Sequence, residues 1–379
     1  MKLNPDLYHD FTKELIPSTK NNPKIATKIM FLGKEPLFAL MNFATKARSF
    51  SFENWSGWEL NSHFKYSLYK LKIQWDNDTC TEIDLKDPYM KKIVRWILSF
   101  VNEVKINCTG SFPTDIMELL LKNPHITKIH LNKCDALTAK RLVESRKFDF
   151  VEMNYDTIKD LNDIHIDTKE LLLGGISLEE SLKLKNMNTT LLKVHVRDEK
   201  FDNCLLMTDV DSSSQSLEEL KLKVRSLSRH SIDQSVNPER VLGFLGFLNT
   251  NLVNLKLLRL SLEDNDIHNN IDIDQGYPSI LPDSIKRLLN YEEKLTTYNG
   301  RVKVKFNHKI HFRICSPSED VVDDYIKKTM EEFQGFEYSS EIEDTMNYYC
   351  FTKSGNVAEN FEVNIKVDFK HYKYSFKIN

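Results

Sequence analysis

Ile126-Thr127-Lys128-Ile129-His130-Leu131-Asn132-Lys133-Cys134 is the stretch from which the rest of the chain is read. Its apolar residues stand at 126, 129 and 131, with a cysteine three places further on. In a strand successive side chains point to opposite faces, so Ile129 and Leu131 share one face while Lys128, His130 and Asn132 share the other. The same cadence returns at Leu68/Leu71/Ile73, Val101/Val104/Ile106, Phe148/Val151/Met153, Thr168/Leu171/Leu173, Leu191/Val194/Val196, Leu217/Leu220/Leu222 and Leu255/Leu258/Leu260. Successive middle positions lie 33, 25, 22, 20, 23, 26 and 38 residues apart. An interval of about 20–29 residues holds one strand and one short helix, and such units bury their apolar faces only by stacking on one another.

The segments between the strands read as helices. Pro113 to Leu121 places proline in the first turn and apolar residues at 116, 117, 120 and 121. Ala136 to Arg146 and Ser177 to Lys185 behave alike, and Ser177 with Glu180 has the spacing of a capping box. Val241 to Leu248 is apolar on every side, which predicts a buried helix. Asp209 to Ser216 reads as an exposed polar loop, and Glu263 to Gln275 as an acidic one without the glycine and glutamate of a calcium loop.

This cadence resembles the leucine-rich repeat, LxxLxLxxN/C. The expected fold class is α/β, a leucine-rich-repeat-like solenoid over residues 61–300. A helical N-terminal cap over residues 1–60 and an α+β segment over 301–379 flank it. The phase then assigns an outward face. Lys128, His130, Lys193, His195, Arg197, Lys221 and Lys223 are expected on it as partner-binding residues, with Glu103, Lys105, Glu152, Glu170, Glu219 and Arg259 beside them. Basic residues predominate on that face, so an acidic partner segment is expected.

At the N-terminus Ile25, Ile29 and Leu32 fall on one helical stripe, Gly33 follows as a stop, and Pro36 precedes a second stripe of Leu37, Leu40, Met41 and Ala44. The run from Asn22-Pro23 through Ile29-Met30-Phe31-Leu32 and Pro36-Leu37-Phe38-Ala39-Leu40 to Phe43–Phe50 resembles the F-box. It departs from that motif at Asn22, where leucine usually precedes the proline, at Pro36, where an acidic residue is usual, and at Ala47, where a bulky residue stands. An F-box followed by irregular leucine-rich repeats is similar to the divergent proteins of this kind found in nematodes. The resemblance implies that Pro23, Ile25, Ile29, Leu32, Leu37 and Leu40 contact a Skp1-type adaptor, and that the remainder holds a protein substrate for a Skp1-cullin type ubiquitin ligase. A scaffold or antagonist unrelated to ubiquitin is the alternative.

At 379 residues, 41% hydrophobic and 28% charged, the chain has ample apolar surface for a folded core. The net charge of −3 gives no global reason to expect nucleic acid or membrane binding. The first residues lack the apolar core of a secretory signal, and the longest uncharged apolar run, eight residues at 241–248, is far short of a membrane span. Six cysteines without a CxxC pair read as reduced thiols of the cytoplasm or nucleus. No GxxxxGK[ST], GxGxxG, GxSxG or HExxH motif occurs. No cofactor, metal or enzymatic activity is therefore expected. Beyond residue 300, strict alternation at Val302/Val304/Phe306, Ile310/Phe312/Ile314 and Phe361 to Phe369 predicts strands around a helix at Pro317–Phe333, with a hairpin where the phase flips at Lys370-His371.

Overall fold

The computed structural model describes residues 45, 47–57, 66–74, 80–84, 94–108, 112–159, 164–184, 186–197, 212–226, 238–264, 270–273, 294–316, 318–343 and 346–372. The chain divides into two compact units, Met1–Leu172 with Asn186–Asn188, and Leu173–Lys185 with Thr189–Asn379.

In the first unit β1 (Ser49–Gly57) lies between two unlike neighbours. On one side it pairs antiparallel with β2 (Tyr66–Gln74), which pairs antiparallel with β3 (Cys80–Asp84). On the other it runs parallel to β4 (Glu103–Asn107), followed by β5 (Lys128–Lys133) and β6 (Phe148–Asn154), all parallel. The register aligns Phe50, Val104, Ile129 and Val151 in one row and Phe52, Ile106, Leu131 and Met153 in the next. All eight are buried. Each such side chain removed from water stabilises the fold by about 1.5–3 kcal/mol, so a one-residue slip of any strand is strongly disfavoured. Helices α1 (Thr114–Lys122), α2 (Ala136–Val143) and α3 (Tyr155–Ile158) follow β4, β5 and β6 and bury Ile116, Met117, Leu120, Ala139, Leu142, Val143 and Ile158. β7 (Ile166–Gly174) follows α3.

The second unit contains α4 (Leu178–Leu182), β8 (Met187–Arg197), a 3-10 turn at Ser212–Ser216, β9 (Glu219–Ser226), α5 (Pro238–Asn251), β10 (Leu257–Asp264) and β11 (Asn270–Asp272). It continues with β12 (Lys303–Cys315), α6 (Glu319–Glu332), β13 (Glu337–Ile342), β14 (Met346–Ala358) and β15 (Phe361–Tyr372). β8, β9, β10, β12 and β15 are successive parallel neighbours, and β15, β14 and β13 then alternate in direction. Three rows, buried except at half-buried His308, cross the parallel part. They are Leu192-Leu220-Leu258-Val304-Phe361, Val194-Leu222-Leu260-Phe306-Val363 and Val196-Val224-Leu262-His308-Ile365.

Read along hydrogen-bonded neighbours, the strand order in the first unit is β6-β5-β4-β1-β2-β3 and in the second β13-β14-β15-β12-β10-β9-β8, with β11 attached to β12. The strands around 104, 129 and 151 are successive parallel neighbours in the first unit, and those around 194 and 220 in the second. The expected fold class is nevertheless overturned. The described chain is mostly mixed sheet with few helices, parallel strands flanked by antiparallel ones in each unit, not a helix-capped leucine-rich-repeat solenoid. Three local corrections explain the difference. Residues 49–57, read as part of a helical cap, form β1, because Ser-Phe-Ser-Phe alternates with period two. Leu68/Leu71/Ile73 lies on β2, which is antiparallel, so the parallel series starts instead with Ala47, Phe50 and Phe52, all buried. β12 carries Val304 and Phe306 into the same sheet as β10.

Smaller shifts follow the same physics. On β8 the inward residues are Thr189, Leu192, Val194 and Val196, while Leu191 is only half-buried. Thr189 takes the inner place because its hydroxyl donates to the Leu191 carbonyl at 3.1 Å, as Thr168 does to Glu170 at 3.0 Å on β7. Ser214, read as part of an exposed loop, is buried and donates to the Leu182 carbonyl. Lys370 and His371 continue β15 as far as Tyr372, so no turn falls there; residues 373–379 lie outside the described residues.

Candidate protein-binding face

The side of the second unit's sheet opposite the buried rows is set by alternation alone. On β12, Lys303, Lys305, Lys309, His311 and Arg313 alternate with buried Val304, Phe306, Ile310, Phe312 and Ile314. Lys221 and Lys223 do the same on β9, Arg259 on β10, and Lys366 and Lys370 on β15. Four carboxylates, Glu219, Glu263, Glu362 and Asp368, stand among these lysines and arginines. They bind them in short bridges. Arg259 Nε lies 2.7 Å from Glu219 Oε1, Lys221 Nζ 3.4 Å from the same oxygen, Lys223 Nζ 2.8 Å from Glu263, and Lys305 Nζ 2.9 Å from Glu362. Burial alone would raise the pKa of Glu219, but Arg259 and Lys221 outweigh it and hold the carboxyl below its usual range. Glu362 is lowered chiefly by its hydrogen bond from Lys305. The cations outnumber the carboxylates, so the face keeps a positive excess although the whole chain is slightly acidic.

Asp368 is the most enclosed charge on this face, fully buried between β12 and β14. Two lysines and an imidazole surround its carboxylate, with His311 Nδ1 at 3.3 Å, Lys366 Nζ at 3.4 Å and Lys309 Nζ at 3.8 Å. None of these contacts has hydrogen-bond geometry, so charge attraction holds the group. Tyr348 and Cys350 of β14 border it. Burial, reinforced by Asp368, pushes the Tyr348 hydroxyl up to about 12 and raises the Cys350 thiol. Burial works to lower the Lys366 pKa, yet Tyr348 and Asp368 raise it above the usual lysine value. Cys134 in the first unit is pushed up to about 12, mainly by burial. Protonated thiols belong to both units, and a protonated phenol and charged lysines stand on the second unit's face.

The first unit has its own polar face. His130 Nδ1 lies 2.5 Å from Glu152 Oε2 and its Nε2 3.3 Å from Glu103 Oε1, while Lys105 Nζ lies 2.9 Å from Glu103. Burial pulls the Glu103 pKa upward, but Lys105 and His130 more than offset it, and the carboxyl is lowered. The imidazole is therefore held as a bridge between two strands and is mostly covered, while Lys128 is exposed.

Of the residues singled out by sequence, Lys221 and Lys223 are half-buried in bridges to Glu219 and Glu263, Lys193 is half-buried and His195 is exposed. Arg197 pairs with Arg225 in the β8–β9 register. Lys128 and His130 belong to the first unit, the other five to the second. Pro23, Ile25, Ile29, Leu32, Leu37 and Leu40 lie outside the described residues. The end of the F-box-like run does not, and Ala47 and Phe50 are buried residues at the start of the sheet. Lys305, Lys309, Lys366 and Asp368 were missed. Their alternation is plain in Lys303 to Arg313, but register with β15 is needed to bring them together. Among the described residues no group of His, Cys, Asp and Glu is arranged to hold a metal ion, and no helix is long and apolar enough to cross a membrane. The sequence matches no protein-family model and no curated protein.

Proposed function

We propose that the chain is a non-catalytic protein-recognition subunit whose basic sheet face in the second unit holds an acidic segment of a partner protein. Its F-box-like sequence, with Pro23, Ile25, Ile29, Leu32, Leu37 and Leu40, docks a Skp1-type adaptor and so presents that partner for ubiquitination. The observation that carries the recognition part is the positive excess on one side of β9, β10, β12 and β15, fixed there by the strand register. Such a face steers an acidic partner and makes its capture salt-dependent. The adaptor part rests on the resemblance of residues 22–50.

The test is affinity capture from cells with the full chain and with Lys193→Glu/Lys221→Glu/Lys303→Glu, alongside binding of a purified Skp1-type adaptor. The expected result is adaptor binding by both proteins and loss of a salt-sensitive acidic partner by the variant alone. Folding should be retained, since Lys303 is exposed and a surface ion pair such as that of half-buried Lys221 contributes about 0–1 kcal/mol. Failure of the adaptor to bind, with the acidic partner still captured, assigns the chain to a scaffold or antagonist outside ubiquitination. Unchanged capture by the variant removes the face from the reading.

A further inference from the structure

β13, Glu337-Tyr338-Ser339-Ser340-Glu341-Ile342, ends the strand order and has β14 as its one neighbour among the described residues. All six residues are exposed, so both faces of the strand are open as well as its outer edge. Its pairing with β14 is continuous from Glu337↔Thr352 to Ile342↔Asn347, without a bulge. Edge strands are ordinarily blocked by lysine, proline or a bulge, and β13 has none of the three. The chemistry of its two faces is distinct. Tyr338 and Ile342 lie on the side of buried Phe351 and Asn347, and Tyr338 packs on the Phe351 ring at 5.2 Å between centroids. Ile342 is nonetheless 70% exposed and Tyr338 38% exposed. The apolar layer thus runs out onto β13 and stops uncovered. On the other side stand Glu337 and Glu341, and residues 337–343 contain three glutamates and no basic residue.

We infer that β13 is a docking edge for an extended segment of a partner protein in which lysine or arginine alternates with apolar residues. The segment adds as a further strand, its backbone bonding the free edge. Its cations stand opposite Glu337 and Glu341, and its apolar side chains cover Tyr338 and Ile342. Glu337 and Glu341 stand on the same side of the sheet as Lys366 and Lys370 but two strands away, at an acidic edge, which takes a different partner chemistry from the basic strands.

The experiment uses the full chain and two fluorescent seven-residue peptides, one alternating lysine with valine and one alternating glutamate with valine, followed by anisotropy. Wild-type protein is expected to bind the lysine peptide and to ignore the glutamate peptide. Glu337→Lys/Glu341→Lys, both exposed positions that leave the core untouched, is expected to weaken the lysine peptide about tenfold and to gain the glutamate peptide. Hydrogen exchange is expected to slow at amides of 337–342 when the lysine peptide binds. Equal binding of the lysine peptide by both proteins, or slowed exchange elsewhere with 337–342 unchanged, overturns the inference. So does wild-type self-association that the double variant abolishes, which would make a second copy the occupant.

Discussion

Asp368 sums up what single residues do in this chain. A carboxylate is costly to bury, and the two lysines within 3.8 Å, with Tyr348 and Cys350 beside it, make it tolerable. Replacing it with asparagine leaves Lys309 and Lys366 facing one another across the imidazole without the Asp368 charge. Both lysines reach solvent, which screens part of the repulsion. Asp368→Asn is therefore expected to lose about 2–3 kcal/mol in urea unfolding. The double variant Asp368→Asn/Lys366→Met should lose less than the sum of the two single losses, because one offending cation is gone. Strictly additive losses would show that the attraction is not what holds the carboxylate. Little of this hub was legible in the sequence. Lys309 and His311 are seen on one strand, but the side chain that joins them is more than fifty residues away and depends on β12 and β15 lying parallel in a particular register. The inner position of Thr189 was hidden for a different reason. A rule that seeks apolar residues prefers Leu191, whereas the fold accepts a threonine whose hydroxyl satisfies a nearby carbonyl.

At the scale of elements, whatever is encoded within one turn was readable. The capping box at the start of α4 is present, with Glu180 N donating to Ser177 Oγ and Ser177 N to Glu180 Oε2. Ser177→Ala should cost about 1 kcal/mol, measured by thermal or urea unfolding. The other end of α1 is held by a residue no local pattern reveals. The Arg146 guanidinium donates to the carbonyls of Leu120, Leu121 and Asn123, closing the exposed C-terminus of α1 from the next strand's approach. Arg301 plays the same part after α5, donating to Asn249, Leu252 and Leu255 carbonyls. A planar fork that reaches several carbonyls at once also opposes the negative end of the helix dipole. Arg146→Ala is expected to lose about 2 kcal/mol, and Arg146→Lys to recover less than half, since an ammonium cannot span the three acceptors. Full recovery by lysine would reduce the role to charge alone. Strand direction was the element property the sequence hid. Alternation at Leu68/Leu71/Ile73 matches the parallel rungs, yet β2 is antiparallel, because a period of two fixes faces and says nothing of the neighbour's direction.

For the molecule as a whole, charge placement makes acid the condition that unfolds it. Glu103 and Glu219 are lowered in the folded state, so what they add is present above the ordinary glutamate range and is lost as pH falls through their folded values. His308 acts earlier. It occupies a position in an otherwise apolar row, between Leu262 and Ile365, and its Nδ1 is buried without a hydrogen bond. Burial depresses its pKa from 6.5 to about 4. The unfolded chain therefore takes up a proton below pH 6.5 that the folded chain refuses until about 4, and stability is complete above that window and falls as pH falls through it. His311 is depressed in the same sense, chiefly by burial and against the pull of Asp368. Between pH 7 and pH 5 the His308 contribution amounts to about 2 kcal/mol. Urea unfolding at the two pH values should show that loss in the wild type. His308→Leu, which fills the row with an apolar side chain, should lose about 2 kcal/mol less over the same interval, whatever its stability at pH 7. Equal losses in the two proteins would mean that the imidazole is charged within the fold, and that the row of Val196, Val224, Leu262, His308 and Ile365 is open to water at its fourth member.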